Sequence, residues 1–305
     1  MEKQQQHVQM GYDPNDRLLI INADDYGMCH SMNAAAEELL LAGAISSATL
    51  MVPCAWAKEG AAFAKKYPQV DIGVHLTFTS EWDHYKWGPV TRLTDVNSLI
   101  TDEGFFPEDC LSFELQAEPE QVKIEIQKQI EQAIAWGVDP THLDVHMGSL
   151  YGLATGRDYL EVVLEACEHY KLPLRLPRGL TALEELPPEL QQMAAARIAL
   201  ADHKGIMIID DLLTHPFHYT PGETFDEMKQ GMIQMLKGLR AGITEIFIHP
   251  GYATEELKAI QPDAPKRDME ARLFLDDEIR NTIKSENIRM ITWRDLRDHQ
   301  RRMNV

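Results

Sequence analysis

Leu18-Leu-Ile-Ile-Asn-Ala-Asp-Asp-Tyr-Gly27 is the stretch that decides the fold, because a short apolar run ends there in two adjacent carboxylates and a glycine. An apolar run without alternation predicts a parallel strand that is buried on both faces. Asp24 and Asp25 would then stand at its carboxyl end, where α/β enzymes keep their catalytic residues. Neighbouring strand residues point to opposite faces, so both side chains reach one site only if the backbone turns, which Gly27 favours. The alternative is that one of the two aspartates merely caps the following helix.

Short β-rich runs alternate with longer helical patterns along the rest of the chain. The predicted strands lie near Arg17–Ala23, Ser46–Val52, Asp71–Leu76, Thr141–His146, Leu172–Leu176, Ile206–Asp210, Glu245–His249 and Ile288–Trp293. The predicted helices lie near Ser31–Ala42, Ala55–Lys66, Pro119–Trp136, Arg157–Tyr170, Pro188–His203, Thr224–Ala241 and Asp268–Glu286, followed by a basic helix from Arg294. This alternation predicts an α/β fold with a parallel sheet. The eight strand–helix alternations favour a closed, TIM-barrel-like (β/α) barrel of seven or eight strands.

The 305 residues fit a single barrel domain over residues 17–305, preceded by a polar, glutamine-rich extension over residues 1–16. Residues 79–118 follow the third predicted strand without clear periodicity, so they are expected to form an extended βα loop over the active face. The loop carries Trp82 and Trp87. Such aromatic side chains could stack on sugar rings or simply pack over the mouth of the barrel.

Composition narrows the classes of partner. The formal net charge of −19 and the lack of a long Lys/Arg run argue against nucleic acid and anionic membranes, and a small neutral or cationic ligand is easier to accommodate. Without an apolar signal sequence or a stretch of about 18 apolar residues, a cytoplasmic protein is expected. The scattered Cys29, Cys54, Cys110 and Cys167 indicate neither a zinc site nor a disulfide framework. The oligomeric state stays open, with a homodimer as one option.

Residues that can bind a metal end four of the predicted strands. Asp24 and Asp25 end the first, His75 the third, His146 the fourth and His249 the seventh. A single histidine is more often structural than a ligand, but four strands ending in this way at one barrel face indicate a catalytic or metal site.

Other polar residues near strand ends are weaker candidates. His142 starts its strand and is expected to be structural, whereas Asp144 could orient His146. Four polar residues lie at the end of the sixth strand and in the loop that follows it: Asp210, Asp211, His215 and His218. One of them could touch a substrate, or all four could supply only caps and loop hydrogen bonds. His30 and His84 are expected to be exposed.

At this point the chain resembles the YdjC-like carbohydrate deacetylases, which are related to the NodB-type polysaccharide deacetylases. The resemblance rests on pieces that occur in the family's order from Leu18 to Tyr252. These pieces are Asn22-Ala-Asp-Asp-Tyr-Gly27 with Asn33, Thr49-Leu-Met-Val52, Gly73-Val-His-Leu76, Thr141-His-Leu-Asp-Val-His146, Leu174-Arg-Leu-Pro177 and His249-Pro-Gly-Tyr252. One departure is Gly148, which stands where the family often has a further histidine.

The resemblance implies that Asp25, His75 and His146 hold one divalent metal ion. It also implies that Asp24 is the general base and His249 the general acid, while Arg175 orients Asp24 or binds substrate. Imidazole ligands favour zinc over magnesium, yet the family is commonly described with magnesium, so both ions stay open.

The activity implied by the resemblance is the hydrolytic removal of N-acetyl groups from amino sugars or short N-acetylated oligosaccharides, with release of acetate. Two alternatives stay open. The first is a metal-dependent hydrolase of another bond, such as a phosphodiester or a cyclic amide, because one metal face serves many chemistries. The second is a catalytically silent sugar-binding protein, against which the paired presence of Asp24 and His249 argues, because binding alone needs neither acid nor base.

Overall fold

The computed structural model describes residues 5–92, 95–182 and 187–303. Its centre is a curled parallel sheet with the strand order β4-β3-β2-β1-β6-β5, in which β7 also pairs with β1. The strands are β1 (Arg17–Tyr26), β2 (Ser47–Leu50), β3 (Ile72–Leu76), β4 (Leu143–Val145), β5 (Asp211–Leu213), β6 (Gly242–Ile248) and β7 (Ile288–Met290). Because all these pairs are parallel, the carboxyl ends of the strands meet at one edge of the sheet.

The predicted closed barrel is shown only as a half-barrel. In the described residues, the predicted strand Leu172–Leu176 contributes no more than an isolated bridge to β4, since its Pro173 has no N–H for a ladder. Ile206–Asp210 is likewise extended without forming a strand, and β5 begins after it. Single backbone hydrogen bonds link these segments: Leu174 N donates to Met207 O at 3.0 Å, and Asp210 N donates to Ile243 O at 2.8 Å.

Helices surround the sheet much as predicted. They are α1 (Gln6–Gln9), α2 (His30–Leu41), α3 (Ala57–Lys66), α4 (Cys110–Gln116), α5 (Pro119–Ala135), α6 (Leu160–Tyr170), α7 (Pro188–His203), α8 (Phe225–Lys237), α9 (Glu255–Ile260), α10 (Ala264–Leu273), α11 (Asp277–Ser285) and α12 (Trp293–Met303). The single helix predicted for Asp268–Glu286 is wrong, because Asp276 caps a new helix by accepting a hydrogen bond from Glu278 N. None of the described helices is long and apolar enough to cross a membrane.

The first strand is buried on both faces, as its sequence predicts. Leu19 and Ile21 belong to the large core beneath the helices. Leu18 and Ile20 face a smaller inner cluster, completed by Met207, Ile209, Ile243, Ile291, Trp293 and Leu296. Asn22 and Asp24 continue this inner face by alternation, so the inside of the curled sheet leads directly to the acidic end of β1.

The N-terminal extension is a packed part of the fold from residue 5 onward. His7 is fully buried, and Met10 and Tyr12 pack against the inner cluster. Gln6 Oε1 accepts a hydrogen bond from Ile208 N at 3.0 Å. These residues therefore cover the end of the half-barrel opposite the carboxyl ends of the strands.

The backbone turns at the end of β1, as the two aspartates require. The register between β1 and β2 shifts between Ala23 and Tyr26, Asp25 has a left-handed φ of 59°, and Gly27 follows with a φ of 94°. A Cβ atom on Gly27 would lie 2.9 Å from the Leu50 side chain and 3.0 Å from the backbone of Ala57. The turn is thus tightly enclosed, and only glycine fits at its exit.

We expect Gly27→Ala to lower the free energy of unfolding by about 2 kcal/mol or more, because it adds an overlap with fixed atoms to a left-handed backbone. Gly43→Ala is the matched control, since Gly43 has a φ of 62° and a Cβ added there would meet no neighbouring atom within 4 Å. The control should cost about 1 kcal/mol through the backbone alone. Urea unfolding of the two variants measures the difference, and equal losses would contradict the close packing described for Gly27.

Candidate metal centre and active site

Three of the predicted residues form a buried cluster that could hold a metal ion. Asp25, His75 and His146, at the ends of β1, β3 and β4, bring one ligand atom each to within 4.8 Å of one another. His75 Nε2 lies 3.4 Å and His146 Nδ1 3.1 Å from Asp25 Oδ1. Two imidazole nitrogens and one carboxylate oxygen fit a divalent cation and leave positions for water and substrate.

The second nitrogen of His75 is occupied by Asp144. His75 Nδ1 donates to Asp144 Oδ1 at 2.6 Å, because these residues are directly paired in the β3–β4 ladder. The prediction that Asp144 orients His146 is therefore wrong, since the strand register places Asp144 beside the other imidazole. Because the hydrogen bond to Asp144 keeps the proton on Nδ1 of His75, the other nitrogen, Nε2, faces Asp25.

The second nitrogen of His146 faces Glu81. His146 Nε2 lies 3.0 Å from Glu81 Oε2, and the Trp87 ring stands edge-on to the imidazole at 6.1 Å. The sequence did not point to Glu81, because this residue lies in the long loop over residues 79–118. It neither ends a strand nor belongs to a motif of the family resemblance. Only the folding of the loop over β4 brings it to the cluster.

Asp24 is held by a network centred on Arg175. The guanidinium donates two hydrogen bonds to Asp24, at 2.7 and 2.6 Å, and Asn22 donates a third at 2.8 Å. Arg175 Nη2 also lies 2.9 Å from Asp144 Oδ2 and 2.5 Å from Glu245 Oε1. Both terminal nitrogens of this guanidinium already contact carboxylates, and its Nε is buried, so the geometry favours orientation of Asp24 over substrate binding as the role of Arg175.

A second group of side chains, Asp24, His75 and Asp144, is also compact enough to hold an ion. Arg175 already donates to Asp24 and lies 2.9 Å from Asp144, so a cation at this point would meet the charge of the guanidinium. The group that contains Asp25 is therefore the better candidate for the metal centre.

Glu245 is a second residue that sequence reasoning missed. Its side chain is fully buried on β6, and burial together with the charges of Asp24 and Asp144 raises its pKa to about 7 despite the attraction of Arg175. The signal was present as an acidic residue inside an otherwise apolar strand run, but its partner is distant in sequence. Glu245 contacts Nη2 of Arg175, the same nitrogen that contacts Asp24 and Asp144.

The charges of the site keep Asp24 and Asp25 ionised. Burial alone would raise the pKa of Asp24, but Arg175, His75 and His249 lower it below its usual value. The pKa of Asp25 lies well below its usual value, because His146 and His75 outweigh burial. Asp24 is therefore an ionised, firmly oriented carboxylate at neutral pH, as a proton acceptor must be.

The same carboxylates raise the pKa values of the two imidazoles. Burial alone would lower the pKa of His75, but Asp144, Asp25 and Asp24 together raise it to about 9. Burial is likewise outweighed at His146, whose pKa Glu81 and Asp25 raise well above its usual value. The cluster thus attracts positive charge, which protons or a metal ion can supply.

His249 lies just after β6, outside the three-residue cluster. It is buried, and its backbone N–H donates to Glu270 at 3.1 Å. Burial and the charge of Arg267 lower the pKa of His249 below its usual value, although Asp25 and Asp24 oppose the shift. Phe217, an exposed aromatic side chain, stands edge-on to the imidazole at 4.8 Å.

The long loop is anchored to the fold. Glu125 of α5 accepts hydrogen bonds from Val90 N and Thr91 N, at 2.9 and 3.0 Å. Trp87 is buried and donates from its indole to Thr79 O at 2.7 Å. Trp87 therefore packs, whereas Trp82 is only half-buried. Contact between the loop and a substrate stays a prediction.

The weaker candidates make local contacts. His142 is buried and stacks on Trp293 at 4.4 Å, as expected for a structural residue. Asp210 accepts from Ile243 N, and Asp211 pairs with Arg240. Neither His142 nor these two aspartates belong to a metal-competent group within the described residues.

The two histidines of the loop that follows β5, His215 and His218, also make local contacts. His218 pairs with Asp263 at 3.0 Å, and His215 is buried against Gly231. His30 and His84 are exposed, as predicted. Gly148, with a φ of 67°, follows the cluster directly, and a larger residue would be strained there.

The comparison with known proteins decides the family. Residues 18–285 match the family described as YdjC-like protein. The chain belongs to this family. A carbohydrate deacetylase from Thermus thermophilus is 30% identical over 282 residues, which cover 92% of this chain and 94% of the relative. A carbohydrate deacetylase from Thermoanaerobacter pseudethanolicus is 25% identical over 281 residues, which cover 92% of this chain and all of the relative.

A solved structure shares the fold. An Enterococcus faecalis protein whose proposed role is cellobiose-phosphate cleavage superposes with a TM-score of 0.74 at 24% identity, covering 92% of this chain and 99% of that chain. The predicted family is confirmed, and with it the expectation of a deacetylase-type enzyme.

We expect Zn²⁺ binding by protein stripped of metal to strengthen from pH 6 to pH 9. The raised pKa values mean that both imidazoles are protonated at pH 7, and each must lose its proton before it can bind a cation. Binding at pH 7 should release about one to two protons. Titration calorimetry in buffers of different ionisation enthalpy counts them, and an affinity that does not change with pH would contradict the assignment of these ligands.

Proposed function

We propose that this protein is a metal-dependent deacetylase of N-acetylated amino sugars or short N-acetylated oligosaccharides. The observation that carries the proposal is the pairing of an ionised Asp24, clamped by Arg175, with a neighbouring cluster of Asp25, His75 and His146. A carboxylate that only ligated a metal would not need its own guanidinium clamp. The names of the two bacterial relatives support the same substrate class.

Asp25, His75 and His146 would hold the ion, and their two imidazoles favour zinc or another transition ion, with magnesium as the option suggested by the family resemblance. When bound, such an ion supplies Lewis acidity, which polarises an amide carbonyl and lowers the pKa of water. Burial of the cluster strengthens this effect, because charges act over longer distances where water is excluded.

The chain's own residues then carry the protons. Asp24 accepts a proton from water as the water oxygen adds to the acetamide carbonyl carbon. His249 gives a proton to the sugar nitrogen as the carbon–nitrogen bond breaks, so that acetate and an amino sugar result. Phe217, beside His249, offers an exposed aromatic surface where the sugar would leave.

Acetate release from a panel of N-acetylated saccharides tests the proposal. We expect turnover by the wild-type protein and a loss of about two to four orders of magnitude in kcat for Asp24→Asn, with metal content unchanged, because only the proton acceptor is removed. Asp25→Asn is the matched control and should lose the metal as well. Saccharide binding without acetate release would favour a silent sugar-binding protein, and activity only on a phosphodiester or a cyclic amide would favour the other hydrolase.

We expect kcat/KM of the wild-type protein to fall as pH rises through the pKa of His249, because only the protonated imidazole can act as an acid. Since burial and Arg267 lower that pKa, the fall should begin below about pH 6.5. His249→Ala should keep its metal, lose this alkaline limb and be less impaired on an acetyl ester, whose leaving group needs less protonation. Equal impairment on ester and amide, or loss of metal, would show that His249 has another role.

A further inference from the structure

Each imidazole of the cluster has a carboxylate on the nitrogen that points away from Asp25. For His75 this is Asp144, which is fully buried in the neighbouring strand. For His146 it is Glu81, whose side chain is 16% exposed and belongs to the loop over residues 79–118. One metal-site imidazole is therefore fixed by the sheet and the other by a loop.

The position of the carboxylates decides which nitrogen of each ring can bind a cation. Both nitrogens of His146 face a carboxylate, Nδ1 toward Asp25 and Nε2 toward Glu81, so a cation held beside Asp25 would replace the proton on Nδ1 and leave the proton on Nε2. The same reasoning leaves Nε2 of His75 toward Asp25. The two imidazoles thus present different nitrogens to the same point.

We propose that Glu81 is a positioning residue that holds His146 in the ring orientation and tautomer needed for metal binding, and that it thereby couples the loop over residues 79–118 to the metal centre. This inference rests on the metal dependence in the proposed function. In this role Glu81 contacts the imidazole of His146 and does not bind the metal ion itself.

The backbone around Glu81 is built to hold it in place. Ser80 N donates to Pro107 O at 2.8 Å, and Ser80 Oγ accepts from Trp87 N at 3.0 Å. Lys86 Nζ donates to Ser80 O at 2.8 Å. Ser80 is itself fully buried, so Glu81 projects from an anchored segment, and a displacement of this segment would move His146.

The placement of Glu81 argues against two other roles, a surface ion pair and a metal ligand. A surface ion pair would contribute little, but the His146 side chain is only 4% exposed, so the contact lies largely out of water. A metal ligand would share the point that Asp25 marks, whereas Glu81 faces the opposite nitrogen of the ring and is absent from the metal-competent groups of the described chain.

Zn²⁺ alone, titrated against a competing chelator, tests the inference without any substrate. Glu81→Ala should weaken Zn²⁺ binding about 10- to 100-fold, as the loss of a carboxylate behind a ligating histidine commonly does. Glu81→Gln should be less affected, because its amide oxygen still accepts from Nε2. Asp83→Asn, an exposed acid two residues along the same loop, is the matched control and should bind Zn²⁺ within about twofold of the wild type.

Nitrogen NMR of the imidazoles in the Zn²⁺-loaded proteins gives the second measurement. The wild type should show His146 protonated at Nε2 and bound through Nδ1, and Glu81→Ala should show an altered His146 signal with that of His75 unchanged. Wild-type affinity in Glu81→Ala, or a loss as large as in His75→Ala, which would make Glu81 a ligand, overturns the inference. A wild type that binds Zn²⁺ with the expected Glu81 effect but releases no acetate overturns the proposed function alone.

Discussion

The site depends on one backbone turn, the left-handed conformation of Asp25 at the end of β1. In a regular strand Asp24 would face the inside of the curled sheet and Asp25 the helices, so the two carboxylates would never share a site. The turn brings Asp25 to the imidazoles of His75 and His146 while Asp24 stays against Arg175. Enclosure of Gly27 by Leu50 and Ala57 holds the chain in this conformation.

Charge pairing is the second constraint, because unpaired buried carboxylates would cost far more free energy than their hydrogen bonds return. Arg175 is shared by Asp24, Asp144 and Glu245, and this arrangement spaces the three acids around one cation. The imidazoles balance the remaining negative charge when they are protonated. A divalent cation can take over that balance, so protons and metal compete for the same position in the cluster. The loop over residues 79–118 adds the carboxylate of Glu81 to this balance.

Much of this arrangement could be predicted from the sequence. The unbroken apolar run into Asp24 and Asp25 predicts a buried strand, and the placement of His75, His146 and His249 at strand ends predicts that their side chains lie close together, because parallel strands end at one edge. The family resemblance adds Arg175, which lies against Asp24, while the division of roles between the two aspartates stays a prediction. These features are local in the sequence or follow from the shared direction of the strands.

Only the tertiary structure decided the partners of these residues. Asp144 contacts His75 and not His146 because of the β3–β4 register, and Glu81 reaches His146 only after its loop folds back over the sheet. Two other differences are local: Pro173 lacks the N–H that a strand needs, and the cap at Asp276 starts a new helix inside the one predicted over Asp268–Glu286. Periodicity reports which side of an element is buried, but pairing depends on contacts between residues distant in the chain, and no local pattern encodes them.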